Sequence, residues 1–269
     1  MKTTCQDIIN AMEAFAPERL KEEWDNMGFM LGSREKVVKR ALVALEINDG
    51  VALEAEKMRA DMIITHHPLI FRGLKSVTGD DAAGRRLLSL IKNETAVYSA
   101  HTSLDAAEGG VNDALCDAIG LIDIEPLAPS RLDGYKWGVG RVGVLPNETP
   151  LHEIAVKIKN VLNAEFATVS GDSKKMVKRA GVCSGAGSDM LRFAIDKGCD
   201  FYVTGDVTHH FAQNAVDSDI GLIGLTHYDS EVIITPVIRD LLNEYFNQNG
   251  FDARAFASEF DGATIRLVH

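Results

Sequence analysis

The chain has 269 residues, 46% hydrophobic and 25% charged, enough for one large globular unit or two modest ones with a real core. A net charge of −11 argues against direct binding of nucleic acid, whose phosphates repel an acidic surface. No apolar stretch approaches the roughly 18 residues that a membrane span needs.

The opening segment MKTTCQDIINAMEAFAP places Ile8, Ile9, Met12 and Phe15 on one helical face, with Thr3 or Thr4 as the cap and Pro17 as the stop. It lacks the pattern of a signal peptide and reads as the docking helix of a cytoplasmic protein. WDNMGFMLG (24–32) follows, a turn packed by Trp24 by default, with Asp25 and Asn26 as weak candidates for substrate contact. The cysteines Cys5, Cys116, Cys183 and Cys199 show no CxxC spacing and are expected to be small buried residues.

Two stretches then resemble each other without a gap, one from Arg40 and one from Arg179. Arg40, Ala41, Val43, Ala55, Asp61 and Thr65 fall on Arg179, Ala180, Val182, Ala194, Asp200 and Thr204. Each stretch reads as strand, polar turn, helix and second strand, a βαβ unit with parallel strands. Each continues through a helix to a further strand ending in histidine, AVYSAHTSLD (96–105) and IGLIGLTHYDSE (220–231). The expected fold is therefore α/β, two related lobes made by internal duplication. Residues 1–125 are expected to form the first lobe, 126–178 a connecting subdomain and 179–269 the second lobe. Within the connector, 135–145 alternates like a strand and 151–162 has helical periodicity. Near the C-terminus a helix is expected around Pro236–Phe246, with Thr235 as its cap, and a strand at Ala263–Val268.

The chemistry concentrates where these strands end. His66 and His67 close the first βαβ unit, and Gly205 and Asp206 close the second. His101 and Asp105 form HxxxD, and His227 and Glu231 form HxxxE. Open parallel sheets bind ligands beyond the carboxyl ends of their strands, so folding gathers all four signatures at such rims. Mixed imidazole and carboxylate donors suit zinc, iron, manganese or nickel rather than calcium or magnesium. His66, His67, Asp105, His227 and Glu231 are the expected ligands of two divalent ions, a pairing that polarises a substrate oxygen and acidifies a water. His101 is open between ligand, orienter of Asp105 and proton donor. Asp206 orients a ligand or acts as a base. Of His209 and His210, one faces the cleft as an acid/base or both pack at a helix N-terminus.

Other signals are weaker. Gly185-Ala186-Gly187-Ser188 sits between a strand and a helix, but Met190 holds the third glycine position of a dinucleotide loop. A tight turn, at most touching a substrate phosphate, is the better account. Lys174, Lys175, Lys178 and Arg179 read as a solvated edge, and His152 as a solvated helix residue.

Together WDNMGFMLG (24–32), THHPLIF (65–71), HTSLDAAEGGVND (101–113), TGD (204–206) and THYDSE (226–231) resemble the Nif-three-like dinuclear metal centre family. Many of its members carry the name GTP cyclohydrolase 1 type 2 homologue. The length fits the short form without a large inserted domain. The resemblance implies metal ligation by His66, His67, Asp105, His227 and Glu231, and assembly into a ring-shaped hexamer. In one place this chain departs from the pattern, which more often has glycine at 226 and alanine at 229. Cyclohydrolase chemistry would use activated water against C8 of a guanine ring, with a histidine protonating the leaving nitrogen. The expected function is thus a dinuclear metal-dependent hydrolase for a small polar substrate, a purine nucleotide among the candidates. The alternative is a non-catalytic metal-binding scaffold or protein-interaction module. A nicotinamide oxidoreductase built on Gly185–Ser188 ranks last.

Overall fold

Thr4 starts the first helix with a reciprocal cap: its hydroxyl accepts the Asp7 amide while the Asp7 carboxylate accepts the Thr4 N–H. The computed structural model describes residues 1–260 and 262–268. In chain order the elements are β1 (Thr3–Thr4), α1 (Cys5–Phe15), β2 (Gly28–Leu31), β3 (Val37–Val38), β4 (Arg40–Ala44), α2 (Asp49–Met58), β5 (Met62–Thr65), α3 (Ala82–Lys92) and β6 (Ala96–Ser99). Next come α4 (Thr102–Ala106), α5 (Val111–Ile119), β7 (Ile122–Pro126), β8 (Arg141–Pro150), α6 (Leu151–Val161), β9 (Thr168–Ser170) and β10 (Met176–Cys183). The chain closes with α7 (Leu191–Asp196), β11 (Phe201–Gly205), α8 (His209–Asp217), β12 (Gly221–Leu225), α9 (His227–Glu231), α10 (Ile234–Asn249) and β13 (Arg254–Ala257). No helix among the described residues is long and apolar enough to cross a membrane.

These elements form two compact units, Met1–Leu104 with Ile234–Gly262, and Asp105–Ile233 with Ala263–His269. The first holds a sheet in the order β13-β4-β5-β6-β2, parallel except for β2. The second holds β7-β8-β10-β11-β12-β9, whose central β10-β11-β12 run parallel. The duplication is visible in the registers. Ala41 faces Met62 in the first unit as Ala180 faces Phe201 in the second. In both sheets the last strand of the repeat, β6 or β12, is flanked by an antiparallel one, β2 or β9.

The sparse identities between the copies have a structural reason. Asp61 Oδ2 accepts the backbone N–H groups of Lys39 and Arg40 at 2.8 and 2.9 Å. Asp200 Oδ2 accepts those of Lys178 and Arg179 at 2.8 and 2.7 Å. Each aspartate thereby ties the start of one parallel strand to the start of the next. The paired arginines bond the loop that precedes the next strand, Arg40 Nε donating to the Arg59 carbonyl and Arg179 Nε to that of Lys197.

The units are assembled differently from the expected segments. Residues 126–178 supply β8 and β9 to the second sheet rather than a separate connector. α5, expected in the first lobe, buries Leu115, Cys116 and Ile119 in the second unit's core with Leu151, Ile154 and Phe201. β8 begins at Arg141, later than the alternation from Tyr135 predicts, because Gly140 takes φ +73° and breaks the extended run. The C-terminal region returns to the first unit. α10 starts at Ile234, two residues before Pro236, and buries Ile234, Ile238, Leu242 and Phe246 along one stripe. β13 then pairs with β4, Ala255 facing Ala41. The expected strand at Ala263–Val268 is corrected: that segment is irregular, and Arg254–Ala257 supplies the strand instead. Residues 263–268 lack a neighbouring ladder, although the Leu267 N–H donates to Glu165 at 2.9 Å.

Candidate metal centre

In the first unit β5 and β6 run side by side with Thr65 opposite Ser99, and their hydroxyls are bonded at 2.7 Å in the core. The residues after both strands therefore leave the sheet at one rim. His66 is fully buried there, and its Nδ1–H donates to the Ala100 carbonyl at 3.1 Å. A carbonyl has no proton to give, so in the neutral ring Nε2 carries the lone pair. His101 Nδ1 lies 2.8 Å from the Asp25 carboxylate, which also accepts the Thr102 N–H at 3.1 Å and hydroxyl at 2.6 Å. Burial pushes the Asp25 carboxyl up, but the bonds from His101 and Thr102 outweigh it and hold the group below its ordinary range. Asp25 is thus an anion, and His101 also keeps its proton on Nδ1. His67 Nδ1 stands 3.6 Å from Glu46. One ring nitrogen from each of His66, His67 and His101 lies within 4.8 Å of the others.

The second unit builds its group on the equivalent strand ends. Thr226 caps α9, its hydroxyl oxygen accepting the Asp229 N–H at 3.0 Å. The four-residue spacing sets His227 Nε2 3.0 Å from Glu231 Oε2, while His227 Nδ1 meets Asp206 at 2.7 Å. Asp206 adopts φ +50°, a left-handed conformation uncommon outside glycine, asparagine and aspartate. Carboxylate oxygens of Asp105 and Glu231 lie within 4.8 Å of each other. His210 sits on the exposed first turn of α8 with its ring 5.3 Å from that of His209.

The donor set fits divalent metal. Three imidazoles have Nδ1 engaged by a carbonyl or carboxylate, the arrangement that fixes the tautomer and orients a metal-ligating ring. Two carboxylate oxygens within 4.8 Å, with Glu231 only 4% exposed, are the kind of close acidic pair that a divalent cation can hold. The cysteines offer no competing thiolate. All four are buried and free, and burial pushes the Cys183 thiol up to about 12 and those of Cys5 and Cys199 to about 11.

Three supporting residues escaped the sequence reading. Asn112 is fully buried, donates to the Asp105 carbonyl at 3.0 Å and accepts the Ser184 N–H at 2.9 Å. Asp113 clamps Arg141, whose guanidinium also takes the Ala107 carbonyl two residues beyond Asp105. For Asn112 and Asp113 the available signal is their place in HTSLDAAEGGVND, where polar residues open an otherwise apolar helix, and nothing local marks Arg141.

A family model described as Duf34/NIF3 (NGG1p interacting factor 3) matches residues 3–262. The chain belongs to the DUF34/NIF3 family. A relative named GTP cyclohydrolase 1 type 2 homolog from Clostridium perfringens is 38% identical over 225 residues, covering 84% of this chain and 86% of that protein. One of the same name from Clostridium acetobutylicum is 31% identical over 259 residues, covering 96% and 97%. The crystal structure of a Bacillus cereus protein related to NIF3 superposes with a TM-score of 0.95 at 25% identity, covering 99% of both chains.

Within this DUF34/NIF3 chain the two departures in THYDSE prove to be one feature. The Thr226 hydroxyl donates to Asp229 Oδ2 at 2.6 Å and accepts the Asp229 N–H, so the residues at 226 and 229 complete each other's bonds in a buried corner. Gly185 is fixed by space as well as by its φ of +60°, for a Cβ there would stand 2.2 Å from Glu231 Oε1. Gly185→Ala is expected to displace the Glu231 carboxylate and lower bound metal per chain, measured by elemental analysis. Metal content equal to wild type would show that Glu231 is not a ligand.

Proposed function

We propose that the chain is a metal-dependent hydrolase in which His66, His67, Asp105, His227 and Glu231 hold two divalent ions of the zinc, iron, manganese or nickel class. The observation that carries this is the common setting of His66, His101 and His227, each with Nδ1 bonded to a carbonyl or carboxylate, the contact that orients a metal-ligating ring, while His227 Nε2 is turned to Glu231 Oε2 at 3.0 Å. Taken alone, the first unit's group is rich in imidazole and the second's in carboxylate, and two ions draw on both kinds of donor. The chain passes from one unit to the other inside α4, between Leu104 and Asp105.

When bound, such ions supply Lewis acidity that polarises a substrate oxygen and lowers the pKa of a water. His101, held by Asp25, exchanges a proton at Nε2 with the leaving group of the substrate. Asp206 orients His227, and Asp206 and His210 are the other candidate proton carriers. The substrate is a small polar molecule, and a purine nucleotide opened as in GTP cyclohydrolase chemistry is the leading candidate because relatives carry that name. Cytoplasmic residence and assembly as a ring hexamer belong to the same proposal. A second reading, a metal-stabilised module that binds protein partners, is favoured by the family's description as an interacting factor.

The test is a screen of metal-reconstituted protein across nucleotides, phosphoesters and cyclic amides, with Glu231→Gln alongside. Turnover of one class by wild type and its loss in the variant is the expected outcome. Two bound ions with no turnover in any class would remove the hydrolase and leave the interaction module.

A further inference from the structure

The first unit carries an exposed aromatic pair that packing does not explain. Of the two tryptophans, Trp137 is 8% exposed under the Lys136 and Arg141 side chains, whereas Trp24 is 61% exposed. Phe71 is 45% exposed, and its ring centroid lies 6.0 Å from that of Trp24 with 66° between the planes. Both rings also meet His101 edge-to-face, Trp24 at 6.0 Å and 75° and Phe71 at 6.2 Å and 87°. His101 in turn packs against His66 at 5.2 Å and His67 at 5.7 Å. The two aromatic faces therefore border the imidazole group directly.

Their positions are fixed. Trp24 precedes Asp25, the residue that anchors His101, and Asn26 donates from its side-chain amide to the Ile70 carbonyl next to Phe71. One short polar segment thus sets the indole, the imidazole and the phenyl ring. Arg72 and Lys75 follow Phe71 on the same exposed segment, two cations within four residues of that ring in a chain of net charge −11.

Resting on the hydrolase reading above, we propose that Trp24 forms a stacking platform for a planar nitrogen heterocycle whose edge meets Phe71, the two side-chain rings being 66° apart, positioning it beside the His66, His67 and His101 group, with Arg72 and Lys75 favouring an anionic substituent on that ring. Aromatic side chains hold a heterocycle through its π-face, whatever its edge pattern. The exposed indole face is complementary to such a ring, and an aliphatic or purely phosphate substrate makes no use of it. Trp24 and Phe71 are positioning residues. Proton transfer stays with the groups named before.

The test is calorimetric titration of zinc-loaded protein with guanosine, GTP and inorganic tripolyphosphate, for wild type, Trp24→Ala, Trp24→Phe and Phe71→Ala. Metal content is measured in the same samples. Guanosine and GTP are expected to bind wild type, to weaken about tenfold or more in each alanine variant, and to stay within about threefold in Trp24→Phe. Tripolyphosphate affinity and bound metal are expected to stay unchanged in all variants. Quenching of tryptophan fluorescence by guanosine, present in wild type and lost in Trp24→Phe, is the second readout. Equal affinities across the variants overturn the platform, as does binding of tripolyphosphate without guanosine, or loss of metal in Trp24→Ala. Stacking without turnover of any nucleotide leaves the platform standing and removes the hydrolase. Turnover of a non-aromatic substrate that is indifferent to Trp24→Ala does the reverse.

Discussion

His67→Ala is expected to release at least one ion per chain while the fold survives. The residue follows β5, is only partly buried, and its backbone N–H is held by the Leu45 carbonyl irrespective of side chain. Its removal therefore withdraws a donor without opening the apolar core. Loss of an outer hydrogen-bond partner of a ligating histidine already lowers metal affinity about 10- to 100-fold, and loss of a ligand itself exceeds that. Elemental analysis after gel filtration reads the stoichiometry, and far-ultraviolet circular dichroism checks that the α/β content is kept. Two ions retained per chain would remove His67 from the ligand set.

Much of this was legible in sequence for one reason: the candidate site residues lie at the ends of short apolar strands whose parallel arrangement places those ends on one rim within each unit. Thr65-His66-His67 and Thr204-Gly205-Asp206 mark the same point in the two copies, and Asp61 and Asp200 betrayed the repeat because each ties two strand starts. The unit boundaries were not legible. α5 follows HxxxD after the turn signal Gly109-Gly110, which marks a break but not which core the next helix enters, and only its buried face shows that it belongs to the second core. β13 is four residues long, and its pairing with β4 is a long-range choice that local propensity does not record. Asp25 was discounted as part of a packed turn, since a lone carboxylate beside a tryptophan says nothing about a histidine 76 positions away.

The larger effect on stability is expected at Arg141. It is fully buried, the largest such side chain, and pairs with Asp113 through Nε at 2.8 Å and Nη2 at 2.7 Å. Its other N–H groups donate to the carbonyls of Gly138 at 2.7 Å, Gly140 at 2.9 Å and Ala107 at 2.7 Å. One cation therefore satisfies a loop entering β8, the start of α5 and the segment just after Asp105. Arg141→Met fills most of the volume but strips the donors from three carbonyls and the counter-charge from Asp113, at a cost of about 3–5 kcal/mol. For a chain of this size that corresponds to a fall in Tm of roughly 10 °C. Thermal denaturation checks it, with Arg179→Met as the comparison, because the Arg179–Glu125 pair is 37% and 44% exposed and such pairs contribute about 1 kcal/mol or less. Adding Asp113→Leu to Arg141→Met removes the orphaned carboxylate and should recover part of the loss, since much of the penalty belongs to the charge left behind. Recovery of Tm without recovery of bound metal would separate the two duties of this clamp: closing the second unit's core, and holding Asp105 where a cation needs it.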